Sequence, residues 1–128
     1  APRVVELLDI YPTLAEICGL PIPEGLDGVS LKPLLSDPLT TWDRPAYTVW
    51  NEHGKGITGV AVRTEKWRYA EFFGIGEGAF LTDAVNDPEE LVNLVKDPAY
   101  RAVVERLQGR ARIYLAGKTE LPQPEKNL

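Results

Sequence analysis

The stretch GVAVRTEKWRYAEFF, residues 59–73, contains two runs rich in β-branched and aromatic residues, separated by the tripeptide TEK. Such runs are typical of β-strands, and a connection this short joins them as an antiparallel hairpin. Because side chains alternate along a strand, Trp67 and Tyr69 are expected on one face of the sheet and Arg68 and Ala70 on the other. Neither face is wholly polar, which predicts that both faces are partly covered.

Two similar runs flank the hairpin, AYTVWNE at residues 46–52 and AFLTDA at residues 79–84. The connecting stretches HGKG and GIGEG supply the glycines that tight turns need. We therefore predict a small four-stranded antiparallel sheet, in which residues 57–64 and 67–73 form the hairpin strands.

An amphipathic pattern follows the four runs. After Pro98, apolar residues recur at steps of three and four, which is typical of a helix with one buried side. These residues are Tyr100, Val103, Val104, Leu107, Ala111, Tyr114 and Leu115. Gly117 is expected to end the helix. Since the apolar side needs a partner, we expect the helix to pack on the sheet and give an α+β fold.

The first part of the chain predicts a helix and a loop-rich segment before the sheet. Apolar spacing indicates a helix over residues 10–18 that starts from an Asp9 cap. Its expected buried side consists of Ile10, Leu14, Ile17 and Cys18. A loop rich in Gly and Pro follows, and then a short helical turn capped by Ser30. The expected buried residues of that turn are Leu31, Leu34 and Leu35.

Composition excludes some classes of partner. The chain has 128 residues, 44% of them hydrophobic, and a formal net charge of −5, with 14 Lys and Arg scattered among 19 Asp and Glu. This balance argues against nucleic acid. No apolar run approaches the length of a membrane span, and the single cysteine excludes an internal disulfide. The start without Met and the proline-broken end lead us to expect a piece of a longer protein.

Five carboxylates crowd the segment TDAVNDPEELVNLVKDPAYRAVV, residues 82–104. An Asp directly before a Pro can cap a helix, so the steps Asp87–Pro88 and Asp97–Pro98 predict two helix starts. Glu90 has the spacing of a capping box with Asp87. A calcium loop would need a Gly at the bend, where this run has Pro88. We therefore predict helix capping and no metal site.

Two other places could bind a ligand. His53 lies in the Gly-flanked loop NEHGKG, and the pattern leaves open whether it is a solvated loop residue or contacts a substrate. Being the sole histidine, it has no second His or Cys for a zinc site. Arg63 and Arg68 flank the hairpin and could hold an anion, although Glu65 and Glu71 are the expected partners in ordinary surface pairs.

For three further features the sequence predicts no catalytic or ligand-binding role. Cys18 lies on the apolar side of a helix without a basic neighbour, so a small buried hydrophobe is expected rather than a nucleophile. GIGEG precedes a predicted strand, whereas phosphate cradles open a helix. Ser30 and Ser36 are explained as turn or cap residues. No set of residues forms a reaction centre.

Four blocks in this order resemble the C-terminal portion of sulfatases in the alkaline-phosphatase-like superfamily, and most of all the iduronate-2-sulfatase-like branch. The resemblance covers residues 3–108. The blocks are D-x-x-P-T-L-x-x-x-x-G-L at 9–20, G-x-x-L-x-P-L-L at 28–35, R-T-x-x-W/Y-R-Y at 63–69, and N-D-P-x-E-x-x-N-L at 86–94. One departure is that Phe80, Leu81, Thr82 and Asp83 stand where the family usually has E-L-Y-D.

The resemblance implies a sulfate-ester hydrolase, acting on sulfated carbohydrates, whose calcium and formylglycine belong to an upstream catalytic domain. Formylglycine forms from a C-x-P-x-R type motif, and after Cys18 the proline comes one place late and the arginine is missing. No catalytic or metal residue is therefore expected in this chain. His53 and Arg63 are the candidate substrate-contacting residues. The family implies a periplasmic, extracellular or lysosome-like location.

On this basis residues 1–38 are expected to link to the catalytic domain, residues 39–117 to form the C-terminal subdomain, and residues 118–128 to form an extended tail. Alone, the chain should be inactive and should self-associate through the helix at 10–18. Two alternatives remain open. One is a phosphatase or phosphodiesterase of the superfamily. The other is a non-catalytic carbohydrate- or protein-binding module, and its surface would consist of Trp50, Trp67, Phe72 and Phe73.

Overall fold

The computed structural model describes residues 3–52, 56–73 and 78–117. Contacts group the chain into two compact units, Ala1–Ala46 and Tyr47–Leu128. The predicted division after residue 38 concerns the intact protein and stays a prediction. His53, most of the stretches HGKG and GIGEG, and the predicted tail at 118–128 lie outside the described residues.

The first unit contains a 3-10 turn and two helices. The turn Leu7–Asp9 runs directly into helix α1, Ile10–Ile17, and a loop leads to the short helix α2, Lys32–Ser36. The Ser30 hydroxyl accepts a hydrogen bond from the Lys32 amide at 3.2 Å, but the N-cap residue of α2 is Leu31, one position after the predicted cap.

Asp9 is at the N-cap position of α1, as predicted, but its side chain makes no capping hydrogen bond to that helix. Asp9 already has helical dihedral angles, and its carboxylate accepts hydrogen bonds from the backbone amides of Glu6 and Val29, both at 2.9 Å. The Thr13 hydroxyl donates to the Asp9 carbonyl at 2.5 Å and accepts from the Leu31 amide at 2.8 Å. The Asp and Thr of the first sequence block therefore hold the loop before α2 against the start of α1.

The predicted buried side of α1 is also wrong. Its buried residues are Pro12, Thr13 and Ala15, whereas Ile10, Leu14 and Ile17 are 48%, 56% and 53% exposed. Cys18 is exposed as well. The loop before α2 lies very close to the turn that precedes α1, since a Cβ on Gly28 would lie 2.1 Å from the Leu8 carbonyl oxygen. Small side chains suit such an approach, and the larger apolar ones lie outside. In α2, Leu34 is buried but Leu35 is exposed.

The second unit contains the predicted sheet, and this prediction is confirmed. The strands are β1 Ala46–Glu52, β2 Gly56–Arg63, β3 Trp67–Phe72 and β4 Gly78–Asp83, in the spatial order β1-β2-β3-β4. In the β2–β3 hairpin Val62 lies opposite Tyr69, and the turn is closed by Thr64, whose amide donates to the Trp67 carbonyl at 2.8 Å.

The predicted C-terminal helix is confirmed as α3, Arg101–Ala116, which packs on β2 and β3 and ends at Gly117. Asp97 caps a 3-10 turn that leads into α3, because its carboxylate accepts from the Ala99 amide at 2.9 Å. The core between sheet and helix consists of Val60, Val62, Trp67, Tyr69, Leu81, Leu107 and Ala111. The ring of Tyr114 stacks on that of Tyr47 at 4.0 Å.

The helix predicted to start at Asp87–Pro88 is absent, and residues 84–97 form turns and extended segments. This segment instead follows the outer edge of β4. The Leu94 amide donates to the Leu81 carbonyl at 2.8 Å, and the Asn93 side chain accepts from the Leu81 amide at 3.0 Å and donates to the Ala79 carbonyl at 3.2 Å. Pairing with an open strand edge satisfies backbone groups that a helix would otherwise satisfy internally.

Candidate functional site

Arg63 and Arg68 lie opposite one another where β2 and β3 meet the hairpin turn. Their neighbours Val62 and Tyr69 belong to the core beneath α3, so the two arginines lie on the other face of the sheet. The structure therefore brings this predicted pair together, while the other candidate, His53, lies outside the described residues.

Both arginines bind Glu90, in an arrangement that we call the Glu90 bridge. One carboxylate oxygen lies 3.1 Å from Nη1 of Arg63, and the other lies 2.7 Å from Nη1 of Arg68. The expected pairing with Glu71 is wrong, because Glu71 is buried on the α3 side of the sheet. The predicted capping box at Glu90 is wrong too, since its side chain is used in this bridge.

Arg63 on β2, Arg68 on β3 and Thr82 on β4 form a row of polar residues across three strands. Thr82 lies directly opposite Arg68 on β4 and is 3% exposed. Its hydroxyl oxygen is buried without a hydrogen-bond partner among the described residues. Sequence analysis did not single out Glu90 or Thr82 as site residues, because 22 and 27 residues separate Glu90 from its two partners.

Asp83, Asp87 and Asp97, three other carboxylates of the 82–104 segment, accept hydrogen bonds from backbone amides. Asp83 accepts from the amides of Val85 and Asn86, both at 3.1 Å, and from the Asn86 side chain at 2.8 Å. Burial by itself would raise the pKa of Asp83, but these hydrogen bonds and the charge of Lys66 outweigh it and lower that pKa. In residues 3–52, 56–73 and 78–117 no three His, Cys, Asp or Glu side chains come together as a metal site.

A second polar cluster lies between β3 and α3. The Tyr69 hydroxyl donates to Oε2 of Glu71 at 2.5 Å, and the Gln108 side chain donates to the same oxygen at 2.8 Å. Burial, followed by the hydrogen bond to the Glu71 carboxylate, raises the pKa of Tyr69 far above its ordinary value. The cluster fixes α3 to the sheet at one point within an otherwise apolar core.

The four aromatic residues proposed as one binding surface do not share a face, so that prediction is wrong. Trp67 is in the core, with its ring 5.6 Å from the ring of Tyr100, and Phe73 packs against the same core. Trp50 and Phe72 lie on the opposite face, with ring centroids 5.0 Å apart. The alternation along β3 separates the residues into these two groups.

Cys18 is exposed at the end of α1, which contradicts the buried position expected from the sequence. Among the described helices, none combines the length and the apolar character that crossing a bilayer requires.

With this geometry established, three comparisons define the class of protein. Human arylsulfatase K is 36% identical over 108 residues, covering 75% of this chain and 20% of the human protein. The structure of a 2-O GAG sulfatase matches 88% of this chain and 25% of its own, with 26% identity and a TM-score of 0.74. The phosphonate monoester hydrolase of Agrobacterium radiobacter matches 92% of this chain and 25% of its own, with 28% identity and a TM-score of 0.63.

The fold is thus that of the C-terminal region of sulfatases. The family model described as N-sulphoglucosamine sulphohydrolase, C-terminal, matches residues 1–114, and the chain belongs to this family. The chain spans about a fifth of the human relative and about a quarter of each structure. These matches confirm the resemblance that the four sequence blocks indicated.

Proposed function

We propose that this chain is the C-terminal subdomain of a sulfatase that hydrolyses sulfate esters of carbohydrates. In the intact protein it would act as a scaffold beside the catalytic domain and contribute to the rim of the substrate pocket. The observation that carries the proposal is the family match over residues 1–114. The carbohydrate substrate is supported by the structural relative that acts on glycosaminoglycans.

The chain's own residues do not fit the calcium and formylglycine that the family implies. The carboxylates of Asp9, Asp83 and Glu90 already bind backbone amides, an asparagine side chain or arginines. Cys18 is followed by Gly-Leu-Pro-Ile, which is not the motif that becomes formylglycine. No catalytic step is therefore derived from this chain. In the proposed enzyme, both groups would belong to the catalytic domain, where the aldehyde hydrate would supply the nucleophile and the metal would stabilise developing charge.

Within this proposal, His53 and Arg63 contact the sulfated substrate at the pocket rim. The proposal for His53 rests on its place in the sequence between β1 and β2 and on its titrating side chain. For Arg63, the side chain is one third exposed, so a substrate oxyanion can approach it from solvent.

The test is sulfate release by the intact gene product from sulfated disaccharides, compared with this chain alone. The intact protein is expected to release sulfate, and the chain alone is expected to release none. His53→Ala in the intact protein should raise KM, whereas Arg101→Met, which removes an exposed charge on α3, should leave it unchanged. Sulfate release by the isolated chain would contradict the proposed division of labour.

A second candidate is a phosphonate or phosphate monoester hydrolase, which the Agrobacterium structure favours. It has the same C-terminal fold with a different reaction in the catalytic domain, and fold alone does not determine the substrate. Assaying the intact protein with a phosphonate monoester beside the sulfated disaccharides distinguishes the two, since the preferred substrate has the higher kcat/KM.

A further inference from the structure

The Glu90 bridge has the geometry of an occupied anion site. Two guanidinium groups, from neighbouring strands, each bind a separate oxygen of one carboxylate, at 3.1 and 2.7 Å. Two guanidinium donors that bind the two oxygens of one carboxylate also suit two oxygens of a tetrahedral oxyanion, because arginine forms charge-assisted hydrogen bonds with both kinds of anion. The Glu90 carboxylate thus occupies the place that a bound oxyanion would take.

The backbone at Glu90 is unfavourable for its residue type. Glu90 has φ of 56°, and it is the one described non-glycine residue with a positive φ. The left-handed region is costly for residues that carry a Cβ, and such residues cluster at binding sites. Part of the free energy of its ion pairs with the two arginines therefore offsets backbone strain. The Glu90 carboxylate is thus held less tightly than its short contacts alone suggest.

The residues around the Glu90 bridge provide a further hydrogen-bond donor, and the bridge is accessible from solvent. The hydroxyl of Thr82, on β4 at the position paired with Arg68 of β3, is buried and lacks a partner among the described residues, so it is an unsatisfied donor on the arginine face of the sheet. The side chains of Arg63 and Arg68 are 33% and 47% exposed, so the site is open to solvent on the arginine side.

We propose that Arg63, Arg68 and Thr82 form a binding site for a sulfate-type oxyanion, and that the Glu90 carboxylate occupies it in the free chain. The site takes inorganic sulfate or the sulfate group of a sulfated sugar, which share this chemistry. Binding requires Glu90 to leave, so Glu90 sets the affinity of the site by direct competition.

The test is to titrate the 128-residue chain and its variants with sulfate and to measure binding by calorimetry. The ionic strength is held constant, and chloride is the reference anion. In Glu90→Gly the competing carboxylate is removed, and glycine tolerates the positive φ. This variant is expected to bind sulfate at least tenfold more tightly than the wild-type chain. Glu90→Gln, which removes the charge but keeps the length, should also bind sulfate more tightly.

Two matched variants identify the ligating residues. Adding Arg68→Met to Glu90→Gly should abolish the gain, and adding Arg101→Met, at an exposed arginine on α3, should not. Equal sulfate affinity in the wild-type, Glu90→Gly and Glu90→Gln chains, with all three folded by circular dichroism, would overturn the proposal and leave the Glu90 bridge as a purely structural ion-pair cluster.

A last comparison separates the two sources of sulfate. Tighter binding of glucosamine 6-sulfate than of inorganic sulfate by Glu90→Gly would assign the site to sulfated sugars, and the opposite order would assign it to the free ion. Because these measurements need no turnover, failure of this site is distinguishable from failure of the proposed sulfatase function.

Discussion

Tyr69 is the residue whose chemistry depends most on its surroundings, because its hydroxyl donates to a buried carboxylate. In Tyr69→Phe, Glu71 loses the bond from the hydroxyl and retains the one from Gln108, and we expect a loss of about 1–3 kcal/mol in the free energy of unfolding at neutral pH. Urea denaturation measures this loss. Tyr11→Phe, at an exposed tyrosine of α1, serves as the control and should change stability by less than about 0.5 kcal/mol.

The raised pKa of Tyr69 also predicts a pH dependence. A group whose pKa is higher in the folded chain contributes stability below its unfolded value, about 10, and loses that contribution as pH rises towards the folded value. The wild-type chain should therefore lose stability above about pH 10, and the gap to Tyr69→Phe should narrow there. A constant gap between pH 8 and pH 11 would contradict this assignment.

Asp83 has the opposite linkage, because its pKa is lowered in the folded chain by the hydrogen bonds from Asn86 and Val85 and by Lys66, against the effect of burial. A lowered pKa contributes stability above the unfolded value, about 3.9, and the contribution disappears as pH falls through the folded value. We expect Asp83→Asn to be less stable at pH 7 and to lose less stability on acidification below about pH 4. Parallel stability curves for the two proteins would show that another carboxylate is responsible.

Among the elements, α3 depends on a narrow buried side. Leu107 is 1% exposed and Ile113, in the same helix, is 77% exposed. Leu107→Ala should cost about 2–5 kcal/mol, because it leaves a cavity between helix and sheet, and Ile113→Ala should cost less than about 0.5 kcal/mol. Urea denaturation followed by circular dichroism compares the two. Equal losses would mean that α3 does not pack through the side described.

The outer edge of β4 depends on one amide side chain. Asn93 accepts from the Leu81 amide and donates to the Ala79 carbonyl. Asn93→Ala leaves both groups without this partner and should cost about 1–3 kcal/mol. Asn93→Asp keeps the acceptor and loses the donor, so its stability should lie between those of Asn93→Ala and the wild-type chain. Faster hydrogen exchange of the Leu81 amide in Asn93→Ala, but not in Asn93→Asp, is the specific signature.

Elements also differ in how well their sequences predict them. The four strands and α3 were predictable because their side-chain periods are local and repeat over many residues. The two Asp-Pro steps look alike in sequence, yet only Asp97–Pro98 starts a helix. After Asp87 the chain bonds to the edge of β4, and this long-range pairing outweighs the local capping preference. The apolar spacing of α1 predicted the wrong buried side for a similar reason, since the distant Leu31 amide donates to Thr13 on the side that is buried.

At the scale of the whole molecule, the exposed apolar side of α1 is the main surface feature. Tyr11, Leu14 and Ile17 of α1 and Leu7 of the preceding 3-10 turn are all more than half exposed. We expect the isolated chain to self-associate through this side and Leu14→Lys to weaken the association. Sedimentation velocity over a range of concentrations measures it, with Ile113→Lys on α3 as the control. A monomer at every concentration would contradict the expectation.

By itself, the sequence determined the α+β class, the strands, the hairpin and α3, and the four ordered blocks that identified the family. Periodicity and short motifs are sufficient for these because each depends on neighbours in the chain. The tertiary structure decided that Asp9 binds the loop before α2, that Glu90 bridges two arginines, and that Trp67 and Trp50 lie on opposite sides of the sheet. These depend on which distant segments pack together, and a carboxylate binds whichever donors that packing brings within reach.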